Sequence, residues 1–82
     1  MRLDKFLAVS RLIKRRTIAQ QACDAGRVLV NGNAAKSSRD IKPGDELEIG
    51  FGSKAVRVRI EQVPTGNVRK EQAEALYTPL AT

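Results

Sequence analysis

Leu3, Phe6 and Leu7 recur at i, i+3 and i+4, the spacing that gathers apolar side chains on one helical face. Arg2 and Lys5 flank that face, and Asp4 is expected to point elsewhere. Ser10 to Lys14 breaks the pattern and reads as a turn, with Leu12 and Ile13 plugging it into the core. A second helix is expected from about Arg15 to Ala25. Its narrow face is made of Ile18, Ala22 and Ala25 beside Ala19 and Cys23, mostly small residues that allow close helix contact. Gly26 follows where a helix ends on a left-handed residue. Thr17 and Gln20 also have capping-box spacing, so the start lies either at Arg15 or two residues later.

The period then changes from helical to alternating. In "RVLVNGNAA", Val28 and Val30 alternate with Leu29, and Asn31-Gly32 supplies the positive-φ pair that joins twisted strands. Pro43-Gly44 suits the centre of a type II turn. Leu47 and Ile49 alternate with Glu46 and Glu48, as in a half-buried strand. Phe51 to Lys54 forms another turn, and Phe51, like Phe6, is expected in the core. "AVRVRIEQV" is the longest strand, with Val56, Val58 and Ile60 facing in and Arg57, Arg59 and Glu61 facing out. "PTGN" punctuates the end of the sheet. Beyond it Ala73, Leu76 and Tyr77 share one helical face, and Pro79 stops that helix. The final helix either docks on the sheet or is a loosely held terminal helix, open to a partner. The fold class is α+β: two N-terminal helices packed on a small, mostly antiparallel sheet, plus a C-terminal helix. Residues 1–63 form the domain and residues 64–82 a helical tail.

Composition narrows the chemistry. A chain of 82 residues makes about one small domain, with little room for a deep active-site cavity. It has no histidine and one cysteine, which excludes a disulfide framework and histidine acid–base catalysis and leaves no zinc-ligand set. No metal, cofactor or catalytic residue is expected, and the chain is read as a non-enzyme. Cys23, among alanines in a helix, is read as a small buried apolar residue, with a reactive thiol as the alternative. No stretch approaches the ~18–20 apolar residues of a membrane span, and Asp4 and Lys5 interrupt any signal-like start. A cytoplasmic protein with no membrane contact is expected. The net charge is +6, and residues 1–42 alone carry ten basic and three acidic side chains. That asymmetry points to a polyanionic partner.

Within "RLIKRR", residues 11–16, four of six positions are cationic: Arg11, Lys14, Arg15 and Arg16. A helix start disfavours cations, each by up to ~0.3–1 kcal/mol, because its unpaired N–H groups already carry positive charge. A bound phosphate reverses the sign: it accepts from those N–H groups and from the arginines together. The cluster is read as a phosphate-binding site, against the plainer reading of a solvated basic turn. Aromatic residues are too scarce for a single-strand binder built on stacking, so a folded RNA recognised by backbone and shape fits best. A DNA-reading helix-turn-helix using Arg15, Arg16 and Gln20 remains the alternative.

The stretches "RLDKFL", "SRLIKRRTIAQQACDAGRVLVNGNAAK" and "KPGDELEI" together resemble the S-four-type RNA-binding domain, or alpha-L motif, over roughly residues 1–60. The opening "MRLDKFLAVSRLIKRR" and the tail "RKEQAEALYTPL" are similar to the RqcP family of bacterial ribosome-associated quality control. The resemblance implies a factor that binds obstructed large ribosomal subunits. Such a factor contacts rRNA and the P-site peptidyl-tRNA, and supports alanine tailing of the stalled chain by an RqcH-type elongation factor. It implies RNA contacts by Arg2, Arg11, Lys14, Arg15 and Arg16, with Lys5, Lys36 and Arg39 as neighbours, and a monomer off the ribosome. Ala8 departs from the lysine frequent at that position. The alternatives are a general structured-RNA or DNA-binding protein, or the related heat-shock-type factor that recycles large subunits carrying nascent chain-tRNA. That relative typically has a longer basic C-terminal extension.

Overall fold

The computed structural model describes residues 1–64 and 68–80. Two helices lead: α1, Leu3–Val9, and α2, Arg16–Asp24. They cover one face of a five-stranded sheet made of β1 (Val28–Val30), β2 (Asn33–Ala34), β3 (Glu46–Phe51), β4 (Lys54–Ile60) and β5 (Tyr77–Pro79). The strand order is β2-β1-β3-β4-β5, and every pairing is antiparallel. The fold is α+β. Among the described residues no helix is long and apolar enough to cross a membrane.

The helical face read from the first residues holds: Leu3, Phe6 and Leu7 are fully buried. The first N–H groups of α1 are met by main chain. Leu3 N–H donates to the Arg39 carbonyl at 2.8 Å and Asp4 N–H to that of Ser37 at 3.1 Å. Ile41 N–H donates to the Met1 carbonyl at 3.0 Å, so residues 37–41 wrap the start of α1. Ile13 seals the turn into the core and Leu12 is half-buried. Helix α2 starts at Arg16 after an N-cap at Arg15; no Thr17 capping box forms. Its end is a Schellman motif at Gly26, φ 74°, where Gly26 N–H reaches the Cys23 carbonyl and Arg27 N–H that of Ala22.

The face expected of α2 is partly corrected. Ala19 and Cys23 are buried, but Ile18 is 47% exposed and Ala25 lies outside the core. The helix is rotated so that Arg16 and Gln20 meet Asp4 of α1, and that rotation carries Ile18 outward.

Both turn assignments stand. Asn31, φ 52°, and Gly32, φ 86°, join β1 to β2, and Gly44 has φ 95°. One side chain locks these two turns together: Asn31 Nδ2 donates to Asp45 Oδ1 at 3.1 Å, and Glu46 N–H donates to Asn31 Oδ1 at 3.0 Å. Leu47, Ile49, Val58 and Ile60 point into the core as alternation requires. Val56 and Phe51 do not reach it: they are 38% and 45% exposed, where the β3–β4 hairpin runs past the helix layer.

The C-terminal segment starts as a helix and finishes as a strand. Helix α3, Lys70–Ala73, and a 3-10 turn, Glu74–Leu76, bury Ala73 and Leu76 as expected. Tyr77 and Pro79, read as helical face and helix stop, instead belong to β5, paired with β4. So short a helix gains little on its own. Without β5, the seven-residue β4 would be left with an unpaired edge. Pro79 is tolerated because β5 is itself an edge strand. Except for Pro64, the "PTGN" turn lies outside the described residues.

Candidate nucleic-acid interface

The turn between the helices is built to hold cations outward. Arg11 takes φ 62°, a left-handed conformation that favours glycine. Its N–H donates to the Ala8 carbonyl at 3.1 Å, and Ile13 N–H to that of Leu7 at 3.1 Å. Buried Ser10 satisfies its hydroxyl on the Leu7 carbonyl at 3.2 Å. Arg11, Lys14 and Arg15 are left exposed. No side chain caps the start of α2, so its first N–H groups are available to an anion.

Asp4 organises the other half of the surface. Its side chain is fully buried, and five contacts converge on it. Gln20 Nε2 donates to Oδ2 at 2.8 Å and Lys5 N–H to Oδ1 at 2.8 Å. Arg2 reaches it twice, Nε to Oδ1 at 3.2 Å and Nη2 to Oδ2 at 3.3 Å. Arg16 Nε lies 3.3 Å from Oδ2. Burial alone would raise the carboxyl's pKa, but the hydrogen bonds from Gln20, Arg16, Arg2 and Lys5 N–H outweigh it and hold the pKa below the ordinary value. Arg2 and Arg16 are each anchored through Nε while roughly half of each side chain stays exposed, 48% and 45%. A guanidinium held this way keeps its outer N–H groups for a second acceptor.

The predicted residues therefore fall into two linked groups. Arg2 and Arg16 gather around Asp4, Lys5 reaches it only through its main-chain N–H, and the turn carrying Lys36 and Arg39 is bound to the backbone of α1 beside them. Arg11, Lys14 and Arg15 sit on the interhelical turn, joined to the first group through Arg15–Arg16. Among the described residues Lys5, Arg11, Lys14, Arg15, Lys36 and Arg39 make no ion pair.

The pattern of the first helix turns Asp4 away from the core, and the fold instead makes it the organiser of the site. The available signal was a lone acid at the border of the apolar face, among cations that need an anion to orient them. Gln20, whose spacing suits a cap with Thr17 or a reach toward base edges, extends across to α1 instead. On the sheet's outer face the charges neutralise one another. Arg57 pairs with Glu46 at 3.2 Å and Arg59 with Glu61 at 3.0 Å. Hydrogen bonds from Arg59 and Thr78 hold the Glu61 carboxyl below its usual range. Cys23 is buried; burial first, then the charges of Asp4 and Asp24, push its thiol up to about 11. A thiol so protonated is a poor nucleophile. No group of side chains able to hold a metal occurs among the described residues.

Residues 1–47 match the S4 domain family. The chain is 55% identical over 80 residues to the RQC P-site tRNA stabilizing factor of Bacillus subtilis, covering 98% of this chain and 92% of that protein. It is 60% identical over 77 residues to the factor of the same name from Halalkalibacterium halodurans, covering 94% and 86%. Among solved structures, the trimeric heat shock protein 15 of Vibrio cholerae superposes with a TM-score of 0.89 at 30% identity, over 99% of this chain and 82% of that one.

Proposed function

From a chain that belongs to the S4-domain family, in the group of the RQC P-site tRNA stabilizing factors, we propose a non-enzymatic RNA-binding factor of ribosome-associated quality control. It acts in the cytoplasm on obstructed large ribosomal subunits and touches both rRNA and the P-site peptidyl-tRNA. By holding that tRNA it lets an RqcH-type elongation factor add alanine to the stalled chain. The factor works by differential affinity: it binds the tRNA-occupied subunit better than the empty one and so shifts that population.

The observation that carries this reading is the Asp4-anchored pair Arg2 and Arg16, set beside unpaired cations and an uncapped helix start. That surface offers oriented forks and point charges, which suit phosphates in a folded RNA. With about six phosphates contacted, affinity should fall roughly 10³-fold between 50 and 200 mM salt.

The test is sedimentation of the tagged protein from cells, with sequencing of the attached RNA. Large-subunit rRNA recovered together with peptidyl- or alanyl-tRNA supports the reading. Arg15→Ala and Arg16→Ala should each weaken subunit association while the domain stays folded; wild-type association of both variants refutes it. The likeness to heat shock protein 15 favours a second reading, a factor that recycles obstructed subunits. Large-subunit rRNA recovered without tRNA would support that one.

A further inference from the structure

The described residues expose three large apolar side chains, and all lie at one end of the molecule: Ile18, Phe51 and Val56. Phe51 and Val56 are on the core side of the β3–β4 hairpin, beyond the reach of the helices, and Val56 pairs with buried Ile49. Between the hairpin and α2 runs a groove of about 350 Å³ lined by Ile13, Ile18, Ala22, Ile49, Phe51 and Arg27, among others. No acidic side chain lines it.

Four cations adjoin its lining. Arg27 is in the wall, Lys14 follows Ile13, Arg15 stands one turn before Ile18, and Lys54 is the cross-strand partner of Phe51. None of the four is in an ion pair among the described residues. An open aromatic ring with free cations at its rim is complementary to an unstacked nucleobase whose flanking phosphates lie over those cations. Lys14 and Arg15 also make the groove continuous with the basic turn. A second copy of the chain fits less well. Three partly exposed side chains offer on the order of 250 Å² of apolar surface, against the ~800 Å² per partner of a stable interface.

We propose that the Phe51–Ile18 groove is a nucleobase platform: it takes one unpaired base of a structured RNA whose backbone lies on Lys14 and Arg15. This rests on the RNA-binding reading above and adds to it a preference for RNA with a flipped or bulged nucleotide.

The test uses two fluorescein-labelled RNA stem-loops, one fully paired and one with a single bulged adenosine, titrated with the full chain at low salt. Wild type should bind the bulged stem on the order of tenfold tighter, the range base–aromatic stacking gives. Phe51→Ala should abolish that preference and leave the paired-stem affinity unchanged, whereas Phe51→Trp should retain it. The methyl NMR signals of Ile13 and Ile18 should shift with the bulged stem only. Equal binding of both stems by wild type, or a preference that survives Phe51→Ala, overturns the platform and leaves the RNA-binding reading standing. Failure to bind either stem overturns both. Unchanged binding of both stems by Phe51→Ala, with loss of association to a partner protein, would make the groove a protein-docking surface and also overturn the platform.

Discussion

Replacing Asp4 by asparagine separates a positioning role from a simple charge effect, because the two predict opposite signs. The change raises the net charge from +6 to +7. If RNA affinity followed charge alone, binding would tighten. If Asp4 orients Arg2 and Arg16, binding should weaken, since two freed side chains must be ordered again on the RNA at ~0.5–1.5 kcal/mol each. The expected loss is on the order of tenfold. The stability cost follows from the contacts. Arg2 and Arg16 are nearly half exposed, so each pair counts at the surface scale, under ~1 kcal/mol. The Gln20 hydrogen bond to a buried charged acceptor contributes about 1.5 kcal/mol, part of which Gln20 recovers by turning its amide. About 2 kcal/mol in total lowers Tm by about 8–16 °C in a domain of this size. That leaves the protein folded at 25 °C if its stability is ~4–12 kcal/mol. Because the folded-state pKa of Asp4 is depressed, its contribution is complete above the ordinary value of 3.8 and fades as pH falls through the folded value. The stability difference between wild type and Asp4→Asn should therefore shrink in acid. Urea unfolding from pH 7 to pH 2 and RNA binding at 100 mM salt measure both effects. A folded variant that binds RNA as well as wild type would refute the positioning role.

Three further outcomes follow from the same geometry. Arg11→Gly relieves a left-handed arginine, so it should leave stability unchanged or raise it by up to ~1 kcal/mol while lowering the salt slope of RNA binding by about one; a clear loss of stability would show that the arginine supports the turn. Cys23, buried with its thiol pushed up to about 11, should resist iodoacetamide at pH 8 in the native protein and react readily in urea; rapid native labelling, read by mass spectrometry, would contradict that burial. Leu76→Ala should cost ~2–4 kcal/mol by leaving a cavity under the C-terminal segment, and hydrogen exchange should rise first at Glu61 and Gln62, whose N–H groups donate to the Leu76 carbonyl.

Much of the fold was legible because its signals are local. The i, i+4 face of α1, the glycine after α2, the Asn31-Gly32 hairpin and the Pro43-Gly44 turn each depend on residues a few positions apart, and each stands as read. What could not be read depends on distant partners. Residues 77–79 have helical neighbours and a helix-like apolar spacing; only the open edge of β4 makes them a strand. Phe51 has the composition of a core residue, and only the short reach of the two helices leaves it uncovered. Asp4 is the same case at the site. Its chain neighbours permit an outward carboxylate, and the three side chains that draw it in are Arg2 on its own flank and, from far along the chain, Arg16 and Gln20.

Asp4 also changes the account of the cations at the start of α2. Read as sequence, four unopposed charges met a positive helix end, and only an outside phosphate could relieve them. In the fold, Arg16 already has its anion: a carboxylate supplied by α1 and buried so that it serves only its own donors. The relief is partial by construction. Asp4 binds Nε of Arg16, and among the described residues Arg11, Lys14 and Arg15 have no counter-charge. Fully neutralised, the surface would have no use for RNA; with no internal anion, its arginines would be disordered and costly to arrange. The sheet shows the opposite arrangement, with Arg57 and Arg59 paired to Glu46 and Glu61. A small protein with few aromatics can then dock a large polyanion through a face whose arginines are already ordered before contact.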